Sequence, residues 1–371
     1  MLETKNFRNL GPLQILPHPR FNFFHGDNAQ GKTSIIEAIY FLSELKSFRT
    51  QILESLIAHE KPHALLRADL LIHGIGYDIK SSIFRHEKGK EVFLNGKKPR
   101  PYSKLHQILP IVLFTPDSIK LFRSAPGERR AYFDRFLSLL NKEYEKCLDN
   151  YEKVLKQKQS LLEQVRETGF YPKDQMNIWD QKLCFWAAQI SFLRFQYIEQ
   201  LGPHLKEYFK NLSGGVWDIH LQYTPYSSGI LKSQSIEEMQ ELYLKEVENR
   251  KIEERERVQV LVGPHRDDWV VWMGGQKLKE EGSQGQHRVC VAALKLSEVS
   301  ILQSIGKSPL ALFDDLLSEL DLQRSRQILE TLSECACQVF LTSVTPLGLP
   351  LKGLEGFTYE VKGGNLFQTK L

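Results

Sequence analysis

Cysteine is scarce in this sequence, and its few copies show no pairing pattern. Five cysteines occur among 371 residues, and none of them forms a C-x-x-C pair. Cys335 and Cys337 lie close together but have no histidine or cysteine neighbours that would complete a zinc site. We therefore predict five reduced thiols, mostly in the core, rather than a disulfide framework or a zinc centre.

Long apolar runs and a strong net charge are also missing. Residues 1–16 mix charges with short apolar pairs, unlike a signal peptide, and no stretch approaches the length of a transmembrane helix. We expect a cytoplasmic protein with no membrane association. The net charge of +4 permits nucleic-acid binding but does not argue for it, because the distribution of charge matters more than its sum.

The clearest motif lies near the amino terminus, between an apolar stretch typical of a buried strand and a stretch with helical spacing. Residues 26–33 read GDNAQGKT, which fits the phosphate-binding pattern G-x-x-x-x-G-K-[ST]. Backbone N–H groups at such a helix start attract phosphate, so we predict that the chain binds a nucleoside triphosphate. The predicted nucleotide contacts are Gly26, Asp27, Asn28, Ala29, Gln30, Gly31, Lys32, Thr33 and Ser34.

Within this motif, two side chains have chemistry of their own. We expect the Lys32 ammonium to reach the β- and γ-phosphates and to assist the reaction there. We expect the Thr33 hydroxyl to be a ligand of Mg²⁺.

Two adjacent carboxylates, Asp314 and Asp315, follow the apolar residues 310–313. The carboxyl end of a buried strand is where an α/β sheet places its ligand site. We predict that Asp314 completes the Mg²⁺ site and that Asp315 orients or deprotonates the attacking water. Two carboxylates at a buried position are costly without a metal or partner, which argues against a purely structural role.

A second anion site is predicted where residues 282–288, GSQGQHR, open a helix. Ser283 occupies the N-cap position, and Gly285 lets a ligand approach the backbone closely. The helix start then offers free N–H groups to an anion, with Gln286 beside them. Taken alone, this pattern also fits an ordinary helix cap.

Basic residues near these motifs have two readings each. Arg49 follows the first helix and either reaches a γ-phosphate or ends a solvated helix. Lys97, Lys98 and Arg100 form a basic tip after the hairpin signal Asn95-Gly96, and they either contact a phosphate backbone or lie in a solvated loop.

The rest of the pattern predicts an α/β protein with an inserted helical lobe. Residues 1–126 and 258–371 would form a P-loop mixed sheet with an antiparallel β-subdomain, and residues 127–257 the lobe. We expect the lobe to contain helices over residues 131–165, 177–209 and 236–257, with a break of the second at Gly202-Pro203. We expect strands over residues 258–262 and 269–273.

The order of these motifs resembles the head of an ABC-type ATPase: a P-loop, a Ser-x-Gly-Gln signature, an Asp-Asp strand and then Ser-Glu-Leu-Asp at residues 318–321. The resemblance implies that two heads sandwich two ATP molecules. The signature serine of one subunit would then cap the γ-phosphate that the other subunit's P-loop holds, so ATP and Mg²⁺ would drive homodimer formation.

Over its full length the chain resembles the RecF family. The resemblance includes Asn6-Phe7-Arg8-Asn9, residues 46–49 and 114–117, Gly127-Glu128-Arg129-Arg130 and residues 263–268, besides the motifs above. It implies ATP-dependent binding of single- and double-stranded DNA at gap junctions. It also implies work with RecO and RecR to place RecA on gapped DNA in repair, replication and the SOS response.

The sequence departs from the usual ABC pattern at three points. Ala29 replaces a glycine, which stiffens the loop. No histidine follows residue 287, so the usual γ-phosphate sensor is missing, and Thr342, Ser343 or Thr345 would partly substitute. Asp315 replaces the commoner glutamate and is one methylene shorter. We hypothesise slow, DNA-stimulated hydrolysis that serves as a switch.

Other proteins with these motifs fit less well. A transporter subunit has a much shorter span between P-loop and signature, and an SMC-like protein needs hundreds of residues of heptads. A P-loop metabolic kinase has no use for the signature serine. The DNA contacts are predicted from charge alone, and His265-Arg266-Asp267 fits an internal ion-pair network slightly better. The candidates are Lys97, Lys98, Arg100, Arg129, Arg130 and Arg266.

Overall fold

The computed structural model describes residues 1–86, 89–227, 229–230, 235–316, 320–344 and 353–370. The chain folds into two compact units. Unit 1 contains Met1–Ile119 and Val291–Leu371, and unit 2 contains Lys120–Cys290. The lobe predicted over residues 127–257 falls inside unit 2. Unit 2 is larger than that lobe because the strand that begins at Asp268 pairs with the strand that ends at Thr224.

The helices and strands follow one another along the chain in three groups. The first group is β1 (Leu2–Lys5), β2 (Leu13–Ile15), β3 (Phe21–His25), α1 (Lys32–Glu44), β4 (His63–Ile72), β5 (Ile75–Phe84), β6 (Lys90–Leu94), α2 (Lys104–Ile108) and β7 (Ile111–Phe114). The second is α3 (Pro126–Leu140), α4 (Lys142–Thr168), α5 (Lys173–Ser213), β8 (Ile219–Thr224), α6 (Ile236–Arg257), β9 (Asp268–Met273), β10 (Gln276–Lys277), α7 (Leu278–Glu281) and α8 (Gln284–Ser304). The third is β11 (Leu310–Phe313), α9 (Leu322–Glu334), β12 (Gln338–Ser343), β13 (Gly356–Lys362) and β14 (Asn365–Lys370).

Unit 1 contains a six-stranded sheet in the order β14-β13-β3-β12-β11-β7. Its strands from β13 to β7 are parallel, and β14 is antiparallel at one edge. Buried parallel strands require apolar residues on both faces, and β3, β7 and β11 have such sequences. The carboxyl ends of β3 and β11 therefore lie at one edge of the sheet, with only β12 between them, and this edge holds the predicted nucleotide residues.

A second, five-stranded antiparallel sheet of unit 1 has the order β2-β1-β4-β5-β6. This sheet is the predicted antiparallel β-subdomain, and the turn after β6 is built as the sequence predicts. Asn95 and Gly96 both have positive φ, +49° and +76°, as a tight hairpin turn of this type requires. α1 is buried along most of its length and contributes to the same apolar core as this sheet.

The helices of unit 2 differ from the predicted ones at two points. The helical region expected over residues 131–165 is two helices, α3 and α4, because Asn141 is extended and its side chain caps α4 by accepting from the Glu143 N–H. The predicted break at Gly202-Pro203 is wrong, since α5 runs through it for 41 residues. Gly202 has no Cβ to clash with the proline ring, and the buried residues that follow hold the helix in place.

The strand predicted over residues 258–262 is also wrong. Val258 ends α6 in a left-handed conformation, and the following backbone bonds to side chains instead of a neighbouring strand. The N–H of Val260 donates to Gln159, and that of Leu261 donates to Glu254 at 2.7 Å. Val260, Leu261 and Val262 are buried, so this apolar run packs in the core without forming a β-ladder.

α4, α5 and α6 share a buried ionic cluster. Lys158 of α4 is 1% exposed and lies 2.9 Å from Asp180 of α5 and 2.6 Å from Glu254 of α6. Burial alone would lower the pKa of Lys158, but Glu254 and Asp180 outweigh it and raise that pKa above its ordinary value. The ammonium therefore stays charged and joins three helices. None of the helices in the described part of the chain combines the length and the hydropathy that a membrane span requires.

Lys158→Met is expected to lower the free energy of unfolding by about 3–5 kcal/mol, because two buried carboxylates lose their counter-charge. Urea unfolding followed by circular dichroism measures it. The matched control is Lys146→Met, whose pair with Glu143 is exposed and screened by solvent, so its loss should leave the free energy of unfolding nearly unchanged. Equal effects of the two substitutions would contradict a structural role for the cluster.

Candidate functional site

The loop between β3 and α1 has the tight backbone that a phosphate cradle requires. Gly26 and Gly31 have φ of +143° and +115°. A Cβ on Gly26 would lie 2.4 Å from the Val361 carbonyl oxygen, so only glycine fits there. α1 begins at Lys32, directly after this loop, and its first N–H groups face the loop mouth.

Hydrogen bonds hold the loop from both sides. Asn9 donates to the Ala29 carbonyl at 2.8 Å and accepts from the Ser34 hydroxyl at 2.8 Å. On the other side, the Gly363 and Gly364 N–H groups donate to the side chain and carbonyl of Gln30, respectively. The loop is therefore fixed before any ligand binds.

Ala29 lies in the left-handed region, with φ of +63°. An alanine in that region costs roughly 1–2 kcal/mol relative to the right-handed one, whereas glycine has no such cost. The sequence departure at this position is thus a strained residue rather than merely a stiffer one. The contact between Asn9 and the Ala29 carbonyl helps to hold it there.

Lys32 folds back over the loop and donates to the Gly26 and Asp27 carbonyl oxygens. Burial lowers the pKa of Lys32, while Asp315, Asp314 and Asp27 act to raise it. The ammonium is therefore placed at the loop mouth, where phosphate oxygens would bind.

The Asp314 carboxylate joins the P-loop to the carboxyl ends of β11 and β12. The Thr33 hydroxyl donates to its two oxygens at 2.9 and 3.0 Å, and the Thr342 hydroxyl donates at 2.7 Å. The carboxylate is 5% exposed. Burial raises the pKa of Asp314, and the hydrogen bonds from Thr342 and Thr33 act against that rise.

Asp315 follows in a left-handed conformation, with φ of +55°. Its N–H donates to the Thr342 hydroxyl at 2.9 Å, so Thr342 contacts both aspartates. Of the residues considered as substitutes for a sensor histidine, Thr342 lines the site, Ser343 is buried, and Thr345 lies outside the described residues.

These groups surround a cleft of about 600 Å³ in unit 1. Arg49 lies in its wall with 45% of its side chain exposed, and its guanidinium is 3.4 Å from Glu37. Glu37 is fully buried and also forms a two-point contact with Arg8 at 2.9 and 2.7 Å. Arg49 thus lies at the cleft and is not simply a solvated helix end, while its contact with a γ-phosphate stays a prediction. The lining is Arg8, Asn9, Asn28, Ala29, Gly31, Lys32, Thr33, Ser34, Arg49, Ser55, Ile57, Pro116, Asp314, Asp315 and Thr342.

The donor set at the cleft fits a small, hard cation. Mg²⁺ prefers carboxylate and hydroxyl oxygens together with phosphate, and it is usually held by one or two protein groups. Asp314 is a buried carboxylate whose pKa is raised by burial, so a cation beside it would offset the cost of its charge. Thr33 and Asp314 would hold the ion there and leave its other positions to phosphate oxygens and water.

The signature segment lies in unit 2 and is exposed. The Ser283 hydroxyl accepts from the Gln286 N–H at 3.2 Å, and the Gln286 side chain accepts from the Ser283 N–H at 2.7 Å. This reciprocal capping leaves the exposed Gly285 free of close contacts apart from Ser283. Arg123 donates to the Gly282 carbonyl behind it and so fixes the start of α8.

The structure separates the predicted DNA contacts into two groups. Arg129 is 2% exposed and pairs with both oxygens of Asp268, so the prediction that it contacts DNA is wrong, because a buried, paired guanidinium cannot reach a phosphate. Arg130 donates to the Asp267 carbonyl at 2.7 Å. Lys97 and Arg100 are exposed, and Lys98 is paired with Glu91 at 2.9 Å.

The segment His265-Arg266-Asp267 forms internal contacts, as the alternative reading expected. Asp267 accepts from Tyr223 and lies 3.3 Å from the Arg194 guanidinium. His265 contacts Tyr151, and Arg266 lies 4.5 Å from the centre of the Tyr226 ring. These contacts run to α4, α5 and the region of β8, so they join the helices of unit 2.

Sequence reasoning gave no role to Asn9 or Glu37, which shape the cleft. It named Thr342 as a candidate sensor but did not foresee its hydrogen bonds with both aspartates. Asn9 lies in the Asn6-Phe7-Arg8-Asn9 segment, which carried the family resemblance without a role. Glu37 occupies an apolar face of α1 at full burial, and an acidic residue at such a position is a signal for a buried ion pair.

Comparison with known proteins places these features in context. A family model described as the RecF/RecN/SMC N-terminal domain matches residues 1–348. Among curated proteins, the chain is 31% identical over 365 residues to the DNA replication and repair protein RecF of Geotalea uraniireducens, with 97% of each chain covered. It is 32% identical over 372 residues to RecF of Desulforamulus reducens, with 99% of this chain and 98% of that protein covered.

Two solved structures are similar in fold. One is described as the recombination mediator protein RecF with ATP in the RecFOR pathway, with a TM-score of 0.87, 26% identity, and 99% of this chain and 98% of that chain covered. The other is an Smc head domain from Pyrococcus furiosus bound to the C-terminal domain of ScpA, with a TM-score of 0.60, 16% identity, and 100% and 95% covered. The second likeness concerns the fold alone, and together they confirm the predicted ABC-type head.

Asp314→Asn is expected to abolish the gain in nucleotide affinity that Mg²⁺ provides, at least about 10-fold, while affinity in EDTA stays as in the wild type. The asparagine oxygen still accepts from both threonines but lacks the charge that a cation needs. Titration of a fluorescent ATP analogue measures both affinities.

The thermal midpoint of the nucleotide-free Asp314→Asn protein should be equal to or above that of the wild type, because a buried charge is removed. Asp149→Asn, at an exposed carboxylate of α4, is the control and should change neither quantity. A full Mg²⁺ response in Asp314→Asn would exclude Asp314 as a metal ligand.

Proposed function

The chain belongs to the RecF family, and we propose that it is an ATP-binding protein of DNA replication and recombinational repair. Its cleft supports the nucleotide role. The observation that carries the proposal is the contact of Thr33 with Asp314 at 2.9 and 3.0 Å, which joins a phosphate loop to a metal-binding carboxylate. A related structure is described with ATP bound, which supports the same ligand here.

We propose that ATP and Mg²⁺ join two copies of the chain. The signature Ser283 and Gly285 are exposed on unit 2 at the start of the 21-residue helix α8, where N–H groups attract an anion. Ser283 of one copy would then contact the γ-phosphate that Lys32 of the other copy holds. Two incomplete sites become complete only in the dimer.

The dimer would act on DNA. The names of the relatives support a role in DNA replication and repair and in the RecFOR pathway. We propose that the protein recognises gap junctions between single- and double-stranded DNA in the bacterial cytoplasm and works with RecO and RecR to place RecA there, as in the SOS response. Lys97 and Arg100 are exposed candidates for phosphate contact.

Hydrolysis would be slow and would serve as a switch. Asp315 would orient the attacking water, Lys32 and the loop N–H groups would stabilise the phosphates, and Arg49, which lines the same cleft, would face the γ-phosphate. The Thr342 hydroxyl positions Asp314 and Asp315 through hydrogen bonds and is thereby engaged on the protein side. Asp315 is one methylene shorter than the usual glutamate base, and the Thr342 hydroxyl that would replace a sensor histidine already bonds to Asp314. Both features are expected to slow the hydrolysis of ATP.

A transporter subunit or an SMC-type protein is the alternative function. The helical bundle of α4, α5 and α6 between the P-loop and the signature segment opposes the transporter. The likeness to Smc heads concerns the fold and carries no function.

Wild-type protein with Mg-ATP is expected to double its solution mass, whereas Ser283→Arg and Lys32→Met remain monomers. Ser283→Arg still binds ATP, since Ser283 matters only across an interface, and Lys32→Met does not. Light scattering after size-exclusion chromatography measures the mass, with and without gapped DNA.

The matched control for the dimer is Ser304→Arg at the opposite, exposed end of α8, which should dimerise like the wild type. A wild type that stays monomeric with ATP bound, even in the presence of gapped DNA, would refute the shared site.

Steady-state ATP turnover is expected to lie well below about 10 s⁻¹, the median for enzymes, and to rise when DNA is added. Asp315→Asn should stop turnover but keep ATP-dependent dimerisation, because Asp314 still provides the metal carboxylate. A coupled assay measures the rate, and a turnover of hundreds per second would be incompatible with the switch.

A further inference from the structure

A groove of about 480 Å³ lies between α4 and α5 in unit 2, and none of its lining residues has a role assigned above. We call it the aromatic groove and define it by Lys153 of α4 and by Trp179, Lys182, Phe185 and Trp186 of α5. On α5, residues 179, 182 and 186 share one helix face because they are three and four positions apart.

The aromatic rings of the groove are only partly buried by the fold. Phe185 is 41% exposed, and its ring packs against the edge of Trp186, with centres 4.8 Å apart and planes at 77°. Trp179 and Trp186 are half-buried. Exposing rings to water is costly, so three of them together on one surface indicate a ligand with a flat apolar face.

The charge of the aromatic groove is positive. Lys182 lies 5.0 Å from the centre of the Trp179 ring, and Lys153 lies on the facing helix. No carboxylate lines the groove, and among the residues that the structure describes neither lysine has a carboxylate partner. The two cations therefore complement an anionic ligand.

We propose that the aromatic groove binds the unpaired bases of single-stranded DNA, a proposal that rests on the DNA role proposed above. Bases stack on aromatic rings while lysines contact the backbone phosphates, which is how single strands are bound without sequence preference. In a duplex the base faces are covered by their neighbours, so only the single-stranded side of a gap can use the rings. The aromatic rings alone would also suit a protein partner, since such residues are enriched at protein interfaces, but lysine is depleted there, so the two lysines of the groove favour DNA.

Phe185→Leu tests the stacking, because it keeps an apolar side chain of similar reach but removes the ring. We expect its affinity for a fluorescein-labelled oligo(dT) strand to fall by about 5- to 100-fold, with blunt-duplex affinity unchanged. Phe185→Tyr should bind like the wild type, since it retains the ring. Fluorescence anisotropy with Mg-ATP at several salt concentrations measures all affinities.

Lys153→Gln and Lys182→Gln should each lower the salt dependence of single-strand binding, by about 0.7 in the slope of log affinity against log salt. The controls are Phe170→Leu, an exposed ring of the same unit outside the groove, and Lys210→Gln at the far end of α5. Both should leave single-strand affinity unchanged. Circular dichroism checks that each variant is folded.

The possible outcomes distinguish a failure of the groove proposal from a failure of the proposed DNA role. If the wild type binds gapped DNA and Phe185→Leu binds oligo(dT) equally well, the groove proposal is overturned and the DNA role stands. Equal losses of duplex and single-strand affinity in Phe185→Leu would also overturn stacking. If Phe185→Leu lost only its binding to a RecR homologue, the groove would be a protein interface and the proposal would be overturned as well. A wild type that binds no DNA overturns both proposals.

Discussion

The contact of Asp314 with Thr33 and Thr342 is the interaction on which the site depends. It places a carboxylate at the carboxyl ends of two parallel strands and fixes it to the first turn of the helix after the P-loop. Water is largely excluded there, so the charge is expensive without a cation. The buried charge of Asp314 lowers the stability of the nucleotide-free protein, and a bound cation would remove that cost. The same carboxylate therefore destabilises the free protein and favours the binding of Mg-nucleotide.

The sequence predicts most of unit 1 because its strands and its P-loop are determined by residues that are adjacent in the sequence. Phe21–His25 and Leu310–Phe313 are nearly all apolar since both faces of a parallel strand are covered, and the residues that end them must then lie at one edge of the sheet. Asn9 and Glu37 escape prediction because their partners are distant in the chain. The strained backbone at Ala29 cannot be predicted either, because its φ depends on the tertiary contacts that hold the loop.

In unit 2 the sequence misleads where polar residues are buried. Arg129 is predicted from its charge to contact DNA, yet it is buried and paired with Asp268. Arg194, for which the sequence predicts no role, is likewise buried and paired with Asp134 and Asp267. A charge pattern on one helix cannot reveal a carboxylate that arrives from another element. Such buried pairs contribute little net stability but are costly to break, so they oppose alternative packings of the long helices. Pro203 is the converse case, since packing overrides a local preference against helix.

The five cysteines give the protein a practical property. All of them are buried, and burial raises the pKa of each thiol, to about 12 for Cys184 and Cys337. The thiolate is the reactive form, so the native thiols should react slowly with maleimides at neutral pH. A single cysteine introduced on the surface can then carry a dye without removal of any native one, and the appearance of fast-reacting thiols would report unfolding directly.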